Sequence, residues 1–380
     1  MNSNKPLSIF LIAGEPSGDT LGANLMDAIL SLQSNVQFEG ILGPKMRSRP
    51  SECIVPMEGI AVMGFKNIFF SLQKFYHIFV QVRQSIIKKN PDIVVCIDSP
   101  VFNLRLAKSL RKHKYSGKII QYVCPSVWAW GKSRIHTLVR NYNGLLSILP
   151  FEKEIFQKTT LKTHYIGHPL TSIISSHTYC PEWKLSRASS VISIFPGSRR
   201  QEIILNLRKQ FLAALQVSES IPIAISIANP DLKSLIQDIV FSTPRMESTQ
   251  VFFVPERYRY ELMRITKVAI ATSGTITLEL ALHGVPTVIT YGIQKFDQFL
   301  AKYIFQIRMP FYTLPNVISK TQVFPELIGP YFTVDNAYKA LQGCLAPLQA
   351  EDCRKKCEKI WSLLEARDAN NEAAKAILDF

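Results

Sequence analysis

The sequence predicts an α/β protein made of two doubly wound parallel sheets facing across a cleft, with a helical tail at the C-terminus. Three observations predict it. Short apolar runs rich in Val and Ile alternate with longer amphipathic segments in both halves of the chain. Turns containing Gly or Pro follow those runs directly, where open α/β sheets bind ligands. And 380 residues exceed one comfortable core, with a polar stretch, Ser175–Ser190, placed to link two halves. The expected division is 1–175, 176–340 and a tail over 341–380.

In the first half, Leu7–Ala13 reads as a buried strand that runs into Gly14-Glu15-Pro16-Ser17-Gly18-Asp19 and then a helix over Leu21–Leu30. Two glycines in such a turn let backbone approach a ligand closely, although the spacing is neither GxGxxG nor a P-loop. Glu15, Ser17 and Asp19 would line the end of this strand, and Asp19 would cap its helix. Over Ile60–Lys89, Ile68, Phe69, Leu72, Phe75, Tyr76, Phe79, Val82, Ile86 and Ile87 form one apolar face, while Phe70 and Ile78 fall off it. That helix either docks on a sheet or dips Phe69, Phe70, Leu72 and Phe75 into an anionic bilayer surface, helped by nearby Lys and Arg. Asp92–Ile97 is a second strand, ended by Asp98-Ser99-Pro100. An acid at that tip is poised for chemistry, or is a turn-forming Asp. Lys118–Val123 is a third strand, leading to Trp128 and Trp130 in a packed or ligand-stacking loop, and Leu145–Leu149 is a fourth. His168, in a Gly-Pro turn, is a candidate base or a structural His.

The second half restarts the alternation. Val191–Phe195 is a strand, Pro196–Arg200 a loop and Glu202–Ala214 a helix; Ile221–Ala228, Val251–Val254, Val268–Ala271 and Thr287–Tyr291 supply further strands. Within Val268–Tyr291, Ser273-Gly274-Thr275 breaks a strand into a helix over Thr277–His283, which Gly284 ends as a left-handed cap before Pro286. The first N–H groups of such a helix point at one spot beside its positive dipole end, a natural seat for phosphate. Glu279, one turn in, could accept hydrogen bonds from a ribose diol, or be a surface Glu. From Ala337 the apolar residues recur at helical steps.

Composition narrows the function. The seven cysteines are odd in number and scattered, which suits a reducing cytosol. Cys353 and Cys357 lie one helical turn apart, but no second pair completes a zinc site, so they read as structural and no metal is expected. Leu7–Ala13 is short and flows into GEPSGD, unlike a signal peptide, and no window is apolar enough to span a bilayer. Lys and Arg number 44 against 29 Asp and Glu, a net charge of +15. Such a surface attracts phosphorylated substrates, an anionic membrane or nucleic acid. The basic residues are spread out with no zinc-finger or RNA-binding signature, so nucleic acid is the weaker reading.

The segments GEPSGDTLGANL, AVMG, IDSPVFN, PSVWAW, LPFE, IGHP, FPGSRRQE, SGTITLE and LPN occur in that order. With them the chain, from about Leu7 to its C-terminus, resembles the lipid-A-disaccharide synthases. These are nucleotide-sugar glycosyltransferases with two Rossmann-like domains, the GT-B architecture. The resemblance implies transfer of 2,3-diacylglucosamine from its UDP derivative to the 6-hydroxyl of 2,3-diacylglucosamine 1-phosphate, without a cofactor, by an enzyme peripheral on the cytoplasmic face of the membrane. It implies that Ser273, Gly274 and Thr275 hold the diphosphate, Glu279 the ribose, and Arg199 the charge growing on the leaving UDP, with Asn316 a further contact. Gly14, Ser17, Gly18 and Asp19 then stand on the acceptor side. A β-product from an α-linked donor means inversion, hence one general base: Asp98 first, Glu15 second, Asp19 or His168 after them. The family often carries an acid where this chain has Val101, which shifts weight onto Asp98. It also implies a homodimer exchanging C-terminal segments, for which Phe296–Ile307 and the tail are candidates. The rival readings are another GT-B enzyme, such as a MurG-type transferase or a UDP-GlcNAc 2-epimerase, and a non-catalytic lipid or nucleic-acid binder.

Overall fold

The structure is a computed structural model; it describes residues 5–61, 68–128, 131–185, 190–218, 221–244, 249–293, 310–364 and 367–380, with the backbone alone for residues 60, 61, 68–72 and 132. The chain divides into two compact units, residues 1–172 with 364–380, and residues 173–363.

The first unit holds a seven-stranded sheet. Its strands are Leu7–Ala13 (β1), Val36–Leu42 (β2), Glu52–Pro56 (β3), Ile93–Ile97 (β4), Lys118–Tyr122 (β5), Gly144–Ser147 (β6) and Lys162–Tyr165 (β7). They lie in the order β3-β2-β1-β4-β5-β6-β7, and every ladder between them is parallel. Parallel strands covered by helices on both faces read as continuous apolar runs, and every residue of β4 is buried. Because β2 and β4 flank β1, the strand order reverses between β1 and β4. The crevice outside the carboxyl ends of those two strands is where open α/β sheets bind ligands.

The second unit repeats the plan with six strands: Val191–Phe195 (β8), Ile223–Ile227 (β9), Val251–Pro255 (β10), Thr266–Thr272 (β11), Thr287–Tyr291 (β12) and Glu326–Ile328 (β13). Their order is β10-β9-β8-β11-β12-β13, again all parallel. The reversal here falls between β8 and β11.

The tail read as one piece over 341–380 is divided between the two units. The helix Pro347–Leu364 lies almost wholly in the second unit, whereas Ala369–Leu378 belongs to the first. Ala373, Ala374 and Ile377 join the core of that unit, and their helix packs on Pro16–Leu32. The last residue, Phe380, lies against Gly144, where any Cβ would strike its ring. The segment 294–309 contains the exchange candidate Phe296–Ile307 and lies outside the described residues.

Strands β2, β3, β7 and β13 are absent from the sequence reading. In β2 the pattern is broken by Glu39 and Gly40. Gly40 has φ +145°, and a Cβ there would fall on the backbone of Leu11 in β1, so only glycine permits that approach. Glu39 is buried yet paired with Lys89 Nζ at 2.6 Å. At the end of the helix Ile276–Leu282 the expected cap is present. Gly284 has φ +65°, its N–H donates to Ala281 O at 2.9 Å, and Val285 N–H reaches back to Leu280 O at 3.0 Å, a Schellman closure.

Candidate functional site

In the first unit the turn after β1 carries Gly14-Glu15 and the turn after β4 carries Asp98, so the β1/β4 reversal brings Glu15 and Asp98 together. Glu15 and Ser17 are exposed, Gly14 and Gly18 are buried, and Asp98 is half-buried. A Cβ on Gly18 would stand 3.5 Å from the Ala13 side chain and 3.6 Å from that of Ile97, an ordinary packing distance. Burial lifts the Asp98 carboxyl above its ordinary value, and the negative charge of Glu15 lifts it further, against an opposing hydrogen bond from the Ser99 backbone. A carboxyl raised in this way is better matched to taking a proton near neutral pH than a free Asp.

The backbone beneath Asp98 is strained. Asp98 and Ser99 have φ of +47° and +41°, a region that costs a non-glycine residue about 1–3 kcal/mol. Three hydrogen bonds hold residue 98 there. Its N–H donates to Tyr122 O at 2.9 Å, and its carbonyl accepts from Asn103 Nδ2 at 2.7 Å and from Gln121 Nε2 at 3.2 Å. At about 1 kcal/mol net for each bond, they offset a strain of that size.

Asp19 is a correction. Its carboxylate is buried and accepts from Lys45 N–H at 2.8 Å and Met46 N–H at 3.0 Å. It therefore caps the short helix Pro44–Arg47 rather than its own helix. His168 is buried, and desolvation lowers it to about 4. Its Nδ1 accepts from Leu170 N–H at 3.2 Å, so it is a neutral, structural imidazole. Among the described residues all seven thiols are free, and Cys353 and Cys357 are buried in their helix.

Glu152, in the LPFE segment, is not among the candidate site residues of the sequence. It is buried, and accepts from Trp128 Nε1 at 3.2 Å, Ser147 Oγ at 2.8 Å and Leu149 N–H at 3.3 Å. The Trp128 ring also meets Phe151 edge-on at 5.7 Å, so for this tryptophan the packed reading holds; Trp130 is outside the described residues. Burial pushes the Glu152 carboxyl up to about 7. A folded value above the unfolded one means that the native state binds the proton more tightly. Stabilisation is then complete below about 4.5 and is lost as pH rises to about 7, on the order of 3 kcal/mol. His168, lowered to about 4, contributes a slope of the opposite sign to both proteins, so across that window chemical unfolding should show wild type losing this much relative to Glu152→Gln; equal slopes in the two proteins would refute it.

In the second unit the β8/β11 reversal brings together the turn Pro196–Arg199 and the turn Ser273-Gly274-Thr275. Gly197 has φ +104°. Glu202 Oε2 folds back to accept the N–H groups of Ser198 at 3.1 Å and Arg199 at 3.2 Å. The Arg199 side chain is 78% exposed and touches Glu202 Oε1 only at 3.4 Å. In the other turn Ser273 N–H is used by Thr290 O at 3.0 Å, while among the described residues no backbone acceptor takes the N–H of Gly274, Thr275 or Ile276. Those three donors and the guanidinium stand on neighbouring strand ends of one sheet.

Glu279 lies just inside that turn, and it is not a surface residue. It is buried, and Arg259 Nε donates to its Oε2 at 2.7 Å. Arg259 also pairs with Glu256 and covers the Tyr260 ring at 4.5 Å. Burial raises the Glu279 carboxyl while Arg259 pulls it down. Arg259 escaped the sequence reading because the pairing joins residues twenty apart on different elements; the run ERYRYE offers several charged residues and marks none of them.

Asn316 is a second correction. It is fully buried in the helix Leu314–Ser319. Nδ2 donates to Phe324 O at 2.8 Å and Glu326 Oε1 at 2.9 Å, while Oδ1 accepts Val323 N–H at 2.7 Å and Phe324 N–H at 2.9 Å. With both donors and both acceptor sites committed, it ties a loop and has nothing left for a nucleotide. Phe75 belongs to the core side of the helix Ile68–Lys89. Its ring meets Phe102 edge-on at 5.5 Å, Phe79 meets the same ring at 5.7 Å, and Ile78 is buried. The side chains of Phe69, Phe70 and Leu72 lie outside the described residues.

Comparison with known proteins adds what geometry alone does not. A family model described as Lipid-A-disaccharide synthetase matches residues 9–378. The lipid-A-disaccharide synthase of Chlamydia pneumoniae is 40% identical over 97% of this chain and 62% of its own length. That of Chlamydia abortus is 41% identical over 96% and 58%, so the chain spans about three fifths of the length of these relatives. The enzyme of Wigglesworthia glossinidia brevipalpis is 33% identical over 85% of this chain and 84% of its own. Among solved structures, the glycotransferase of kitacinnamycin superposes with a TM-score of 0.62 over 99% of both chains. A UDP-GlcNAc 2-epimerase from Neisseria meningitidis bound to UDP-GlcNAc gives 0.58 over 99% of this chain and 98% of its own. At 12% identity each shows the fold alone.

Proposed function

Because the chain belongs to the lipid-A-disaccharide synthetase family, we propose that it is an inverting glycosyltransferase. It would move 2,3-diacylglucosamine from its UDP derivative to the 6-hydroxyl of 2,3-diacylglucosamine 1-phosphate. The observation that carries the reading is the family match across residues 9–378. The two strand-order reversals support it with residues of the right chemistry.

In the proposed reaction the 6-hydroxyl oxygen attacks the anomeric carbon as the bond from that carbon to the UDP oxygen breaks. Asp98 takes the hydroxyl proton, and UDP departs with the electron pair. Glu15 keeps a negative charge beside Asp98 and favours the protonated product of that transfer. On the second unit, the free N–H groups of Gly274, Thr275 and Ile276 and the Arg199 guanidinium supply positive potential for the diphosphate. Glu279, anchored by Arg259, offers its other oxygen to the ribose hydroxyls.

Among the described residues no helix is long and apolar enough to cross a membrane. With a net charge of +15, work at the cytoplasmic face of an anionic membrane remains part of the proposal. Its contact would fall to Phe69, Phe70 and Leu72 rather than Phe75. Homodimerisation is proposed on the family resemblance alone.

The test offers the protein UDP-2,3-diacylglucosamine with 2,3-diacylglucosamine 1-phosphate, and UDP-GlcNAc separately, and follows UDP release and product mass. Disaccharide phosphate and UDP from the first pair are expected. Turnover of UDP-GlcNAc alone would replace this reading by the epimerase one.

A further inference from the structure

We infer that Asn103 and Gln121 are positioning residues that clamp the carbonyl of Asp98 and so fix where its carboxyl stands. The inference deepens the reading of Asp98 as general base and rests on it.

The two amides come from different elements, Asn103 from the helix Pro100–Lys112 and Gln121 from β5. Both are fully buried, and both direct their NH2 groups at one oxygen, at 2.7 Å and 3.2 Å. Their remaining hydrogen bonds extend the clamp along the same chain ends. Asn103 Nδ2 reaches Ile97 O at 3.3 Å, and Gln121 Nε2 reaches Val123 O at 3.1 Å. Val123 is itself left-handed, with φ +74°. Residue 98 is thus pinned through its N–H and its carbonyl, and only the side chain is left to act.

The other half of each amide sets this arrangement apart from ordinary packing. Asn103 Oδ1 and Gln121 Oε1 are buried without a hydrogen-bond partner among the described residues. Each amide therefore serves the strained turn with its donors while its own oxygen goes unpaired, a cost that an ordinary core position would not carry. Two such oxygens beneath one strained residue point to donors kept for what they hold. The clamp also holds Asp98 at the end of β4, next to the end of β1 that carries Glu15, the neighbour whose charge its carboxyl feels.

The experiment compares the wild-type chain with Gln121→Met, Asn103→Leu and Asp98→Asn. It measures kcat, KM for UDP-2,3-diacylglucosamine, and thermal unfolding. For the two amide variants kcat should fall by at least about tenfold, since small displacements of a reacting group are expensive. KM for the UDP-sugar should stay within about twofold, and each variant should stay folded at the assay temperature, with Tm lowered because backbone carbonyls lose a donor. Loss of kcat together with Tm in both variants, in proportion to the unfolded fraction, makes the amides structural and overturns the inference. Wild-type kcat in both variants with an inactive Asp98→Asn also overturns it, while leaving the base assignment standing. Normal turnover by Asp98→Asn defeats the base assignment, and the clamp with it.

Discussion

Asp98→Asn should lower kcat by about 10²–10⁴-fold, the range a well-placed general base contributes, while KM for the UDP-sugar changes little. The substitution is nearly isosteric, and residue 98 is held through its backbone N–H and carbonyl, so the turn keeps its shape. What is lost is the capacity to accept a proton. KM for the UDP-sugar is spared because the proposed diphosphate and ribose contacts all lie on the second unit. A pH profile sharpens the test. Burial and Glu15 raise the Asp98 carboxyl above the ordinary carboxylate range, so the acid limb of kcat/KM should lie above that range, with activity lost as pH falls through it. Glu15→Gln removes the negative neighbour, and the limb should shift to lower pH with the plateau retained. If instead Glu15→Gln abolishes turnover and Asp98→Asn does not, the base is Glu15.

Both sheets were legible where strands run through the middle of a unit. Leu7–Ala13, Val191–Phe195 and Thr287–Tyr291 are read from the sequence with the bounds the structure gives them, because parallel strands buried on both faces leave an unbroken apolar run. Legibility fails at three of the four sheet edges, β3, β7 and β13, and at β2 beside one of them, while the edge strand β10 was read. β7 is the polar run KTHY and β13 has three residues, while β2 hides behind a glycine whose reason is the backbone of β1.

The candidate site divides in the same way. Glu15, Asp98 and the Ser273–Thr275 turn were singled out because strand ends carry chemistry in any open α/β sheet, a rule that needs only local sequence, and Arg199 through the family resemblance. Asp19, Asn316 and Arg259 were misread or missed because their roles lie in partners far along the chain. Asp19 serves the N–H groups of Lys45 and Met46, Asn316 serves Val323 and Phe324, and Arg259 serves Glu279. A carboxylate or amide in a motif looks the same in sequence whether it awaits a ligand or closes a loop. Only the count of hydrogen bonds already made separates the two.

That count also sets apart the second large effect, at Arg199. Its side chain is 78% exposed, and among the described residues its one ion pair is the 3.4 Å contact to Glu202, so removing it should cost the fold no more than about 0.5 kcal/mol. The loop does not depend on the guanidinium. Gly197 supplies the left-handed turn, and Glu202 Oε2 holds the N–H groups of Ser198 and Arg199. A cation that the fold does not use, beside three unpaired N–H donors across the β8/β11 reversal, is suited to charge that arrives with the substrate and grows as UDP leaves. Arg199→Ala should therefore lower kcat by about 10²–10³-fold, the cost of removing one preorganised electrostatic contact from a transition state, with Tm unchanged. Arg199→Lys should recover only part of the loss, because an ammonium restores the charge without the fork that grips two phosphate oxygens. Steady-state kinetics with UDP-2,3-diacylglucosamine, alongside thermal unfolding, give the measurement. An Arg199→Ala protein that turns over within about twofold of wild type would place the leaving-group charge on the N–H turn alone.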